Sequence, residues 1–250
     1  MANRLPIVDI RMGHRSIGPY THLSNSQQTW IGGTRVPRHR HTEAYASVIL
    51  SGGLQESGTR GRFSVGPGDV LLHGAFDAHC DRIFISGAEV LNLTLPGLGA
   101  MPHNFARIFD VDTLVKLSKV DPAAATQLLT QEMVPATNMI QEWTDLLAAD
   151  LLEDPNRRLD DWAEEHQLAL ETLSRGFGRV FGMTPAAFRA EVRARKAFER
   201  LVEGVEVLAK VLEVSGFADQ AHMSRAIRSL TGDTPKAWLK RASFKNSLRV

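Results

Sequence analysis

A repeat in the C-terminal third of the chain narrows its possible folds more than any other feature. At an offset of 50, Leu173, Arg175, Phe177, Gly182, Thr184, Pro185 and Phe188 fall on Met223, Arg225, Ile227, Gly232, Thr234, Pro235 and Trp238. Upstream the offset becomes 49, placing Leu159, Trp162 and Ala169 on Leu208, Val211 and Ala218. Two units are too few for a solenoid, which normally stacks about three or more. Each unit instead reads as a short helix, a tight turn and a longer amphipathic helix, a helix-turn-helix. The turns are Gln167-Leu168-Ala169 and Gly216-Phe217-Ala218, the second carrying the extra residue.

The longer helix of each unit has an apolar face and a polar, cationic one. Leu173, Phe177 and Phe181 turn inward, leaving Glu171, Ser174, Arg175 and Arg179 outside. In the second unit Met223, Ile227 and Leu230 turn inward, leaving Gln220, Ala221, Ser224, Arg225 and Arg228 outside. A helix fits the major groove of B-DNA, where Arg and Gln side chains reach base edges. A polar face is ordinary for one surface helix, but two copies of the same unit weaken that reading. Charge agrees with nucleic acid as partner: residues 156–250 hold 17 Lys and Arg against 12 Asp and Glu, and residues 1–155 hold 12 against 16. The formal net charge of +1 thus sums an acidic part and a basic part.

The last 90 or so residues resemble the DNA-binding domain of the AraC/XylS family of transcription regulators. The first unit matches through Leu159, Ala163, Thr172-Leu173-Ser174-Arg175-Gly176-Phe177, Phe181-Gly182, Thr184-Pro185 and the segment Arg193 to Ala197. The second matches through Gly216-Phe217-Ala218-Asp219-Gln220-Ala221-His222-Met223-Ser224-Arg225, Gly232, Thr234-Pro235 and Trp238. Leu212 stands where that family usually has a small Ala, and Ile227 replaces a common Phe. The resemblance implies one linking helix over Pro185 to Val202 and two recognition helices entering successive major grooves, about 34 Å apart. By motif position the base readers are Glu171, Arg175, Gln220, Ala221, His222 and Arg225, with Ser174 on the same face. Arg179, Arg228 and Lys236 are expected on phosphates, which position without specifying.

The first hundred residues read as β structure. Apolar runs at Ala44 to Leu50, Phe63 to Val65, Val70 to Leu72, Arg82 to Ser86 and Val90 to Leu95 alternate with punctuation at Ser51-Gly52-Gly53, Gly58 to Gly61 and Gly66-Pro67-Gly68. Such spacing suggests an antiparallel barrel or sandwich, closed off by Pro96-Gly97 and Gly99 to Pro102. The text then turns helical: Asp121-Pro122 supplies an N-cap with proline behind it. Pro135 can open a further helix carrying Met139, Ile140, Trp143, Leu146, Leu147 and Leu151, and Asp154-Pro155-Asn156 reads as a linker.

Seven of the nine histidines precede residue 110. Gly33 to His41, followed by Gly52, resembles the first cupin motif; Gly61 to Val65, Pro67-Gly68-Asp69 and His79 resemble the second. In metal-binding cupins the paired and the later histidines hold a divalent ion with a carboxylate. On an extended strand His39, His41, Glu43 and Tyr45 share a face. Tyr45 occupies the usual Glu position, and Glu43 is the candidate substitute. His39, His41, Glu43 and His79 would suit zinc, iron or nickel; His73 and Asp77 are candidates for outer support. Alternatively the histidines line an organic pocket. Cys80, the lone cysteine, excludes an intrachain disulfide and fits a reducing cytoplasm.

The expectation is therefore an α+β, two-domain chain. A cupin-like antiparallel β-barrel covers 1–102, a helical connector with a dimerisation face covers 103–155, and an all-α tandem helix-turn-helix covers 156–250. Its expected partners are double-stranded DNA, an unidentified small-molecule or metal effector, a second copy, and RNA polymerase if it activates. No run approaches the roughly 18 apolar residues a membrane span requires. The competing reading is a metal-dependent cupin enzyme with a helical appendage. Against it stand Tyr45 and the lack of other convergent acid–base residues.

Overall fold

The computed structural model describes residues 7–9, 25–97, 104–137, 141–203 and 208–247. The chain divides into two compact units, one reaching to about residue 140 and the other built from the residues beyond it. The positions Gly99 to Pro102, Met139 and Ile140, singled out in the sequence, lie outside the described residues.

The first unit is a nine-stranded sheet with two helices. Its strands are β1 (Ile7–Asp9), β2 (Ser26–Trp30), β3 (Arg35–Arg40), β4 (Tyr45–Gly58), β5 (Gly61–Val65), β6 (Asp69–His73), β7 (Ala78–Thr94), β8 (Phe105–Arg107) and β9 (Val134–Pro135). Hydrogen bonding runs β1-β2-β7-β4-β6-β8-β9, with β3 added to β7 and β5 to β4. All pairs are antiparallel except β1 with β2.

Two of these strands are longer than the sequence punctuation predicts. β4 passes straight through Ser51-Gly52-Gly53, and β7 joins the runs 82–86 and 90–95. Gly52 and Gly87 have φ of +66° and +77°. A Cβ on Gly52 would lie 2.0 Å from the carbonyl oxygen of Gly87. These glycines bend two paired strands where they approach most closely, and the ladder shifts register there.

One side of the sheet buries Ala46, Val48, Val70, Leu91 and Leu93 against Leu114 of α1 (Val111–Ser118) and Ala125 and Leu129 of α2 (Pro122–Glu132). The other buries Ile49, Leu54, Phe63, Val65, Leu71, Ile83 and Phe105. The Asp121 carboxylate caps α2 by accepting from the Ala124 N–H, with Pro122 at the first helical position as expected. Pro135, in contrast, opens no helix. Val134 and Pro135 pair with β8, and the next helix begins at Trp143.

The second unit consists of α3 (Trp143–Glu153), α4 (Leu159–Glu165), α5 (Leu170–Phe181), α6 (Pro185–Glu203), α7 (Leu208–Val214), α8 (Gln220–Thr231) and α9 (Pro235–Ser247). Its first core gathers Leu147, Leu151, Trp162, Leu173, Phe177, Phe181, Phe188 and Val192. Burial of each such aromatic or leucine side chain contributes about 1.5–3 kcal/mol. The segment read as a linker is tied down rather than free. Arg193 of α6 donates to the Pro155 carbonyl at 2.8 Å and to Asn156 Oδ1 at 2.7 Å. Arg189 reaches the Arg157 carbonyl, and Lys196 that of Glu153. Of the stretch read as a connector, α1 and α2 pack on the sheet, while α3 packs on α5 and α6. No described helix is long and apolar enough to cross a membrane.

Candidate functional site

The repeat has a physical basis at each position. α5 and α8 end at Gly182 and Gly232, both left-handed with φ of +69° and +82°. That conformation favours glycine and turns the chain out of the helix. Two residues on, the Thr184 and Thr234 hydroxyls accept from the N–H of Ala187 and Ala237, each followed by a proline at the helix start. Phe188 and Trp238 then plug the two cores. Within the turns, Gln167 and Gly216 take equivalent left-handed conformations, with φ of +54° and +68°.

Packing fixes which faces remain outside. Leu173, Phe177 and Phe181 of α5 are buried, as are Met223, Ile227 and Leu230 of α8. Glu171, Ser174, Arg175 and Arg179 are exposed on α5; Gln220, Ala221, His222, Arg225 and Arg228 are exposed on α8. These nine side chains therefore stand on the solvent faces of two equivalent helices. Asp219 caps α8 by accepting from the His222 N–H at 2.7 Å, which sets the first turn where Gln220 and Ala221 emerge. The two helix-turn-helix units share α6, which packs against α3, α5 and α7 as well as α8 and α9.

The first unit carries a second constellation. His39 faces His79 across the β3–β7 ladder, Tyr45 faces His73 across β4–β6, and Glu56 faces Asp81 across β4–β7. Alternation along β6 and β7 puts His73 with Leu71, and His79 and Asp81 with Ile83, so the cluster continues one apolar core. His39 and His79 rings are 4.3 Å apart, and Tyr45 stacks on His73 at 4.3 Å. Tyr45 Oη lies 3.4 Å from His79 Nε2, filling the place a carboxylate would take in the resembled motif.

The structure brings His39, His41 and His79 together, with one nitrogen of each within 4.8 Å of the others. Glu43 is not among them. β3 ends at Arg40 and the chain bends at Thr42 and Glu43, so the alternation assumed for an extended strand stops there. The carboxylate that joins two of the histidines is that of Glu56, which the sequence reading missed; Asp81 Oδ2 also lies 3.8 Å from His79 Nε2. Glu56 Oε2 lies 3.5 Å from His73 Nε2. Leu54 lies in the same buried cluster as Ile49, a change from odd to even positions that strict alternation does not allow; the register shifts between Ile49 and Leu54 carry Glu56 to this face, and apolar patterning does not reveal them.

Burial dominates the electrostatics. It holds the His73 and His79 imidazoles well below their ordinary range, with neighbouring histidines adding to the effect. Burial likewise raises Glu56 well above the carboxylate range, helped by the Asp81 and Asp77 charges, and pushes Asp81 up to about 7. The Cys80 thiol is pushed up to about 11, so it is an unreactive thiol rather than a thiolate. Glu56, His73 and His79 line a cavity with room for about 20 Å³. That accommodates a water or a single ion.

Residues 162–241 match the family model described as a helix-turn-helix domain. The virulence regulon transcriptional activator VirF of Yersinia enterocolitica is 30% identical over 241 residues, spanning 78% of this chain and 88% of that one. The chain belongs to the AraC family of transcription regulators. The thermoregulatory protein LcrF of Yersinia pestis is 27% identical over the same shares of the two chains. A crystal structure of fatty-acid-bound ToxT from Vibrio cholerae covers 87% of this chain and 96% of its own, at 12% identity and a TM-score of 0.40. This AraC-family regulator is thus a DNA-binding protein with a sheet-rich N-terminal unit and a tandem helix-turn-helix.

Proposed function

We propose that this regulator reads a two-part operator with α5 and α8, and that an effector held by the sheet unit controls that reading. What carries the proposal is the duplicated geometry: Arg175 and Arg225 occupy equivalent, exposed positions on helices whose opposite faces are buried. Each guanidinium can bond guanine O6 and N7 as a fork. Glu171 can accept from cytosine N4, Gln220 can pair with adenine, and Ser174, Ala221 and His222 flank them. Arg179 and Arg228 sit one turn further on and neutralise phosphates.

VirF is named an activator, which favours activation here and RNA polymerase as a partner. A homodimer, cytoplasmic location and a regulatory rather than enzymatic role complete the reading. The domain assignment follows: sensor at 1–102, connector at 103–155, reader at 156–250. For the effector, the clustered histidines of the sheet favour a divalent ion of the zinc, iron or nickel class; His39, His41 and His79 come within reach of one another, with Glu43 outside their group. The enzyme alternative is disfavoured because the relatives matched over most of the chain are named as regulators.

The test is a gel-shift titration of the full chain on fragments from its own genomic neighbourhood, with and without zinc. Binding at least tenfold tighter than to random DNA, falling steeply with salt, is expected. No preference over random DNA under any condition would overturn the reading.

A further inference from the structure

The cavity in the sheet offers a metal seat that the cupin resemblance does not supply. Glu56 of β4, His73 of β6 and His79 of β7 line it, while His39 and His41 do not. One ligand atom from each of the three lies within 4.8 Å of the other two, and all three residues are buried. Two of their nitrogens, His73 Nε2 and His79 Nδ1, are shut away from solvent without a hydrogen-bond partner. Buried polar atoms are ordinarily satisfied, and each exception calls for an explanation.

We propose that Glu56, His73 and His79 form a two-histidine, one-carboxylate site for one divalent ion of the zinc, iron(II) or nickel class, seated on β4, β6 and β7 rather than on β3. Imidazole and carboxylate together suit borderline metals, and a three-ligand set leaves coordination positions open. The cavity has space for the ion or its water and no more. Asp77 and Asp81 add negative field at Glu56, which a dication offsets. His79 belongs to both triads, so an ion bound through it draws on Glu56 and His73 or on His39 and His41. Tyr45, stacked on His73 and touching His79, holds both rings in place.

The site deepens the reading of the sheet unit as sensor, and it is measured without DNA, so its failure leaves the operator reading intact. Full-length protein without a histidine tag is titrated with Zn²⁺ by calorimetry and with Co²⁺ by absorption. One ion per chain is expected. Glu56→Gln and His73→Gln should each weaken binding by more than the roughly 10–100-fold that loss of an outer-shell group costs. Cys80→Ser should bind like wild type. X-ray absorption on the wild-type cobalt form, which does not depend on folding of any variant, should report two imidazoles and a carboxylate. Absence of a stoichiometric ion, a shell of three imidazoles, or wild-type affinity in folded Glu56→Gln and His73→Gln would each overturn the site.

Discussion

Arg225 and Arg228 are a single helical turn apart on α8, yet they should fail differently. Arg225 is proposed as a base-reading fork, so Arg225→Ala should weaken operator binding by about 1–3 kcal/mol and relax sequence preference at one position. Arg228 is proposed as a phosphate contact, so Arg228→Ala should weaken all sequences alike and lower the salt slope by about 1. Gel shifts at several salt concentrations on operator and random DNA separate the two. Gln167 offers a stability test on the same scale. It holds the left-handed conformation that Gly216 holds in the other unit, and a side chain there costs about 1–2 kcal/mol. Gln167→Gly should therefore raise the stability of the second unit by about 1 kcal/mol in denaturant unfolding. Glu43 shows where reading by residue ran out. Its place two residues beyond His41 looked sufficient, but face alternation holds only while the strand stays extended, and it ends at Arg40.

Elements were legible where their ends are written in side chains that act locally. Gly182, Thr184 and Pro185 announce a helix stop, cap and start, and Asp121 with Pro122 does the same for α2. The long strands were not legible, because a glycine that bends a strand looks like one that ends it. Nor was the role of α3 visible. Trp143 lies on α5 so closely that a Cβ on Gly176 would fall 2.4 Å from its ring. In an ordinary helix Gly→Ala stabilises by about 0.5–1 kcal/mol. Here the sign should reverse: Gly176→Ala should cost about 1–3 kcal/mol by overpacking. Trp143→Leu combined with Gly176→Ala should recover part of that loss, a non-additivity that thermal unfolding of the four proteins measures.

At the scale of the molecule, two compact units, each with its own buried clusters, imply two separate transitions. The clusters of one lie in the sheet and under α1 and α2, and those of the other among the helices beyond residue 140. Stabilisation by a bound ion acts only on the unit that holds it, by RT ln(1 + [L]/Kd). Calorimetry of the full chain should show two unfolding steps, with Zn²⁺ raising only one. Zn²⁺ moving both together, or a single step throughout, would show that the units unfold as one.

The helix α6 sets a limit on the DNA itself. It runs 19 residues without an internal Gly or Pro, with α5 packed against it as well as α8 and α9. The two readers are therefore mounted on one strut, and the operator must match its length and phase. One base pair added between the half-sites turns the second by about 34° and moves it about 3.4 Å. An operator lengthened by one pair should lose most of its affinity, and ten pairs should not restore it, because the strut cannot stretch by a helical repeat.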